Sequence, residues 1–230
     1  MRAPTLTAAV IVLVALAPAT AFAQRQEASL ELTSAKPGKP TGLELRIDYV
    51  NPSDPEAKPP AVRRVVETIA RGARFDTGAP DLCPASDLEL MMLGAGACPA
   101  GSVVGSGEIT LDTGIPGARM LTSEVTFLNN TGQLIFLASL PPAPVRLVIR
   151  ASQGKRAAIS QAPFLPGTLP DGAAIDTVSV DLRRIVTERG SYITTPRRCP
   201  RTRRWVNRTS FTYADGVTET VVTRQRCRRR

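Results

Sequence analysis

Trp205-Val-Asn-Arg-Thr-Ser-Phe-Thr-Tyr213, Ala214-Asp215-Gly216 and Val217-Thr-Glu-Thr-Val-Val-Thr223 form the stretch that decides the fold class. Two runs rich in β-branched and aromatic residues flank a three-residue loop, and Gly216 supplies the left-handed backbone conformation that closes such a turn. Placing Tyr213 opposite Val217 sets the register: 211 faces 219, 209 faces 221, 207 faces 223 and 205 faces 225. Side chains alternate along a strand, so Trp205, Phe211 and Tyr213 share one face. The chain holds ten aromatics in all, so this face is expected in the core. Its competing use is a stacking platform for sugars or bases. Cys199 and Cys227 lie beyond the open end, placed to fasten the last strand.

Moving outward, the same alternation recurs. Leu43, Leu45, Ile47 and Tyr49 alternate with Glu44, Arg46 and Asp48, the pattern of a strand with one wet face. Residues 27–34 alternate in the same way. Strand-type residues fill 62–75, with Gly72 as a bend, and also 102–112 and 176–186. Residues 120–128 and 133–140 read as a hairpin over Asn129-Asn130-Thr131-Gly132, and 145–151 and 156–161 as another over Ser152-Gln153-Gly154-Lys155. Twenty prolines and seventeen glycines punctuate these segments. One helix signal stands out after residue 23. Ser86-Asp87-Leu88-Glu89 is a capping box, Leu88, Met91 and Met92 follow at helical spacing, and Gly94 ends the run. About eleven strands and one short helix near 86–93 predict an all-β, antiparallel β-sandwich of jelly-roll or immunoglobulin-like type, with a barrel as the second choice. No repeat or linker divides residues 24–230, which read as a single domain with a basic C-terminal tail.

Residues 1–23 read as a secretory signal helix: Arg2, the apolar run Ala8 to Ala17, Pro18, and the Ala21-Phe22-Ala23 cleavage site. Ten apolar residues are too few for a bilayer span, which takes about 20. No cysteine follows the site, so no lipid anchor is expected. The mature chain is expected outside the cell, with no membrane-spanning segment. Four cysteines in an exported chain imply two disulfides. Of the three pairings, Cys83–Cys98 with Cys199–Cys227 is expected, because each pair brackets a compact local unit.

The chain carries a net charge of +9, unevenly distributed. Residues 183–230 contain fourteen arginines and three acids, whereas residues 1–182 are slightly acidic. Arg201, Arg203, Arg204, Arg224, Arg226, Arg228, Arg229 and Arg230 are therefore the candidate anion-binding residues. Export argues against nucleic acid as a partner and points to an anionic cell-wall polymer or an anionic membrane surface. Arginine exceeds lysine twenty-five to four, a coding bias that weakens the meaning of any single arginine.

The chain has no histidine. That removes Ser-His-Asp and Cys-His nucleophile pairs, His-ligated zinc and cupin-type metal sites. Ser152-Gln153-Gly154-Lys155 has the S-x-x-K spacing of serine β-lactamases, but that motif must open a helix and here it sits between strands. Gly105-Ser106-Gly107 lacks the strand–loop–helix context of a phosphate cradle and reads as a bulge. The remaining acid–base options are Glu44 with Asp48 and Glu108 with Asp112. Each pair sits about 13 Å apart along a strand, too far for glycosidase carboxylates, so only a pair formed across strands would come within reach, and the sequence does not show one. Asp48, Asn51, Asp54 and Glu56 are a weak calcium candidate without EF-hand spacing. No catalytic residue, metal or cofactor is assigned.

Two motif sets carry a resemblance. Phe75-Asp76, Cys83, and Cys98-Pro99-Ala100-Gly101-Ser102-Val103-Val104-Gly105-Ser106-Gly107 form one. Tyr192, Thr194-Thr195-Pro196, Cys199, Trp205, Phe211, Tyr213-Ala214-Asp215-Gly216 and Cys227 form the other. Together they resemble a group of exported, β-rich, disulfide-containing proteins of high-GC Gram-positive bacteria. That group has no assigned activity, so the resemblance implies architecture and export only. The expected function is a non-catalytic envelope or extracellular binding or structural module. The alternatives are a glycan-acting hydrolase using paired carboxylates and an adhesion or assembly subunit.

Overall fold

A computed structural model of the protein describes residues 24–140 and 145–228. The proposed signal segment, Arg229 and Arg230 lie outside the described residues. The elements are β1 (Gln26–Leu32), β2 (Leu43–Tyr49), β3 (Val62–Thr68), β4 (Arg74–Phe75), α1 (Asp87–Leu93), β5 (Val103–Asp112), β6 (Met120–Asn130), β7 (Gln133–Leu140), β8 (Val145–Gln153), β9 (Ala157–Gln161), β10 (Ala174–Leu182), β11 (Val186–Thr187), β12 (Gly190–Ser191), β13 (Ile193–Thr194), β14 (Arg204–Tyr213) and β15 (Thr218–Arg226). Eleven of these strands form one antiparallel sheet in the order β1-β2-β10-β5-β6-β7-β8-β9-β3-β14-β15.

This single sheet curls until its first strand meets its last hairpin. The expected β-sandwich is not confirmed by this sheet order. The antiparallel pairing holds and the main sheet has eleven strands, with β4, β11, β12 and β13 paired in two short sheets outside it; the main sheet is continuous and nearly closed, closer to the barrel. Strand alternation is the same in both architectures, so alternation alone does not separate them.

The closing seam is made by side chains. Leu30 donates its N–H to Thr223 Oγ1 at 3.1 Å, and its carbonyl accepts from Asn207 Nδ2 at 2.6 Å. Leu32 donates to Gln225 Oε1 at 2.9 Å and accepts from the same amide's Nε2. Tyr213 and Gln26 also bond through their side chains. The free edge of β1 would otherwise carry buried, unpaired backbone groups, and each would cost about 1–3 kcal/mol. Amides from β14 and β15 replace the missing ladder.

The last hairpin has the register read from its loop. Trp205 pairs with Gln225, Asn207 with Thr223, Thr209 with Val221 and Phe211 with Glu219. Gly216 takes φ 83. Trp205, Phe211 and Tyr213 are all buried, at 3%, 0% and 2% exposure. They join Leu30, Leu45, Ile47, Tyr49, Phe127 and Leu134 in the barrel core. Tyr49 meets Phe211 edge-on at 5.8 Å.

A second, smaller core lies outside the barrel wall. Ser86 caps α1 through the full capping box with Glu89, and Gly94 follows it at φ 68. The helix buries Leu90, not the Leu88, Met91 and Met92 set suggested by helical spacing. Leu90, Cys83 and Ala85 cover Leu128, Ile135 and Leu137 on the outer face of β6 and β7. This is why β7 is apolar on both faces. Arg150 fixes the helix start through Asp87 (2.7 Å) and the Ala85 carbonyl, while Arg146 reaches the carbonyls of Met91 and Met92.

The disulfides pair sequentially, Cys83–Cys98 and Cys199–Cys227, with Cα–Cα distances of 5.0 and 5.7 Å. Disulfides suit an oxidising compartment. No helix among the described residues is long and apolar enough to cross a membrane.

Candidate functional site: a basic pole and an apolar interior

The strand ends that carry Leu32, Arg204 and Arg226 share one end of the barrel. Three backbone bonds gather the loops there: Gly38 N–H to Pro196 O, Arg228 N–H to Ala35 O, and Cys227 N–H to Arg203 O. The Cys199–Cys227 link ties the same loops. The result is a pole bearing Lys36, Arg197, Arg198, Arg201, Arg203, Arg204, Arg226 and Arg228, every one of them exposed. Arg204 and Arg226 stand directly opposite each other in the register, and Arg224 lies opposite Val206. Like charges directly opposite on adjacent strands repel. None of these basic residues lies within salt-bridge distance of a carboxylate among the described residues. The ion pairs that do form use Arg25, Arg46, Arg63, Arg119, Arg150 and Arg189. Of the eight candidate arginines, six are thus brought to one region of the surface, and Arg229 and Arg230 lie outside the described residues.

Of the weaker sequence candidates, Asp48 and Asp112 both flank Asp176 on β10, whose carboxyl is raised by burial and then by these two neighbours, with Arg119 opposing; among the described residues no group of acids is arranged to hold a metal ion. Asp112 is buried and held by Arg119 at 3.0 Å, while Glu108, Glu44 and Asp48 are exposed. Asn51 and Asp54 use their oxygens to accept the backbone N–H groups of Ser53 and Glu56, which are local turn bonds. Ser152 and Lys155 lie in the β8–β9 hairpin. Trp205 is buried, so it offers no stacking surface.

The second feature has no signature in the sequence. The barrel interior holds a cavity of about 110 Å³. It runs from Leu43, Leu182 and Leu134 at the basic end to Tyr49, Leu111 and Pro163 at the other. Its wall is aliphatic and aromatic almost throughout, with one ionisable acid, Glu67. Glu67 lies on β3 between Ala158 of β9 and Thr209 of β14. Burial pushes its carboxyl up to about 7, and only its own backbone N–H works in the opposite direction. No other residue among the described ones donates a hydrogen bond or offers a cation to it. Ser123 Oγ, also on the cavity wall, is buried without a hydrogen-bond partner. Burial likewise raises the Tyr49 hydroxyl, with Tyr213 and Glu67 adding to the effect.

A bulge hides Glu67 from strand counting. The pairing of β3 with β14 skips Arg63: Arg64 faces Thr212 and Val62 faces Tyr213. Counting by twos from Val62 points Val66 inward, whereas the observed chain buries Val62 and Val65 and so turns Glu67 to the interior.

Comparison with protein-family models, with curated proteins and with solved structures returned no match. Function is therefore read from the geometry of the chain itself.

Proposed function

We propose that the chain is an exported, non-catalytic binding module that docks onto an anionic polymer of the cell envelope through its basic pole. The observation that carries this reading is Arg204 opposite Arg226, among exposed basic residues that have no carboxylate within salt-bridge distance among the described residues. A polyanion relieves that repulsion and releases its own counterions on binding. Export is part of the reading. It rests on the residue 1–23 pattern with cleavage after Ala23, on the resemblance to exported proteins, and on two disulfides. The test is retention on immobilised teichoic acid across a salt series. Retention should fall steeply with salt and should weaken in the double variant Arg204→Ser/Arg226→Ser. Salt-insensitive or absent retention overturns the polymer reading, and preferential capture by phosphatidylglycerol vesicles would transfer it to a membrane surface.

A second reading, an assembly subunit, is favoured by one observation. Leu88, Met92 and Leu93 on α1 are 67%, 69% and 65% exposed. Adjacent exposed apolar side chains of this kind mark contact surfaces. Concentration-dependent association in analytical ultracentrifugation, lost in Met92→Glu/Leu93→Glu, would support it. A monomer at all concentrations would remove it.

A further inference from the structure

We propose that the barrel interior is a ligand site for a slender apolar molecule carrying one basic amine, with the amine seated at Glu67. The inference is independent of the basic pole and survives the failure of the polymer reading.

Three observations lead to it. The first is the void itself. Protein interiors pack at crystal-like density with few spaces larger than a water molecule, and lost contacts around a void are destabilising. A 110 Å³ space is several times that size. Water is a poor filler, because ordered water needs two to four polar partners and this wall provides few.

The second is shape. The wall includes Leu43 and Tyr49, the two ends of β2, so the cavity extends over about 20 Å at strand rise. A small volume drawn out over that length suits an extended hydrocarbon chain better than a compact ring system. Pro163, Leu165 and Ala173 line one end. The loop that bears them is pinned by Lys58, whose Nζ donates to the Thr168 and Gly172 carbonyls at 2.9 and 2.8 Å.

The third is Glu67. A carboxylate in an apolar interior stays charged only with a partner and otherwise takes up a proton, and among the described residues no cation lies within salt-bridge distance of it. Arg63, which also lines the cavity, lies 3.8 Å from Asp171, and Arg25 lies over the Tyr213 ring and pairs with Asp215. The missing partner is a positive group entering with the ligand. An ammonium supplies both charge and donors, and the Tyr49 ring on the cavity wall is compatible with it. A fatty acid has the wrong sign.

The test uses the full mature chain with N-phenyl-1-naphthylamine as a fluorescent apolar reporter and dodecylamine, dodecanol and dodecanoate as competitors. The reporter should brighten on entering the wild-type protein. Dodecylamine should displace it at least about tenfold better than dodecanol, one ion pair's worth of affinity, and dodecanoate least well. Glu67→Gln, near-isosteric, should still take up the reporter while treating amine and alcohol alike. Ala158→Leu, which fills the space beside Glu67, should reduce reporter uptake, with circular dichroism confirming that both variants are folded. No reporter uptake by the wild type overturns the site. Equal displacement by amine and dodecanoate overturns the amine, and an amine preference retained in Glu67→Gln overturns Glu67 as its partner.

Discussion

Glu67 contributes to stability with the opposite sign to most carboxylates. A carboxyl held near 7 in the fold and near its ordinary value when unfolded binds more protons in the native state between those two values. Its contribution is therefore full below the unfolded value and lost as pH rises through the folded one. Without ligand, the barrel should lose up to about 3 kcal/mol as pH climbs through that window. Urea unfolding at a series of pH values should show the decline in the wild type and its absence in Glu67→Gln. A flat wild-type profile would place the carboxyl in water. At this scale the sequence is partly legible. The inward positions of Trp205, Phe211 and Tyr213 follow from strand alternation in a hairpin with no irregularity. Glu67 does not, because one extra residue at Arg63 reverses the count and no local signal marks it.

Elements whose ends are set by local chemistry are readable, and those set by their neighbours are not. Ser86, Glu89 and Gly94 delimit α1 through bonds among themselves, so its limits are visible in the residues. Removing the cap in Ser86→Ala should cost about 1 kcal/mol, read as a shift in denaturant midpoint with unchanged slope. The buried face of α1 is not readable in the same way, because two turns of helix give too little periodicity to choose between Leu90 and the Met91–Met92 side. The choice is made by the outer surface of β6 and β7. The seam strands behave likewise. Asn207 is fully buried, with its amide bridging the Leu30 carbonyl and the Ala70 N–H. Asn207→Leu leaves both backbone groups unpaired and should cost several kcal/mol, more than any surface change on the same strand. A loss below about 1 kcal/mol would mean that the seam is not sealed by this amide. Asparagine in the middle of a strand is an unusual residue choice, and it is the one sequence-level hint of this role.

For the whole molecule, charge and stability pull against each other at the basic pole. Arg226→Glu places an acid opposite Arg204 and should raise stability by a few tenths of a kcal/mol to about 1 kcal/mol, while weakening retention on teichoic acid. A thermal melt and a salt-gradient elution on the same sample test both halves. Loss of stability together with loss of retention would show that the pole is merely structural. The all-β class, the hairpins of the main sheet and the disulfide partners are legible because hairpins and cysteine brackets are local in the chain. Closure of the sheet is not, since it joins residues about as far apart as the chain allows: Leu30 to Thr223 and Leu32 to Gln225, each 193 positions apart. That distance also orders events in time. When the first strand emerges from a ribosome or a translocation pore, the amides that cover its edge have yet to appear, and they arrive only near the end of the chain. Until then the chain is an open, curling ribbon with its apolar lining in contact with water. A chain shortened after Tyr213 should thus fail as a whole, exposing its interior and precipitating, instead of folding as a barrel that merely lacks one strand.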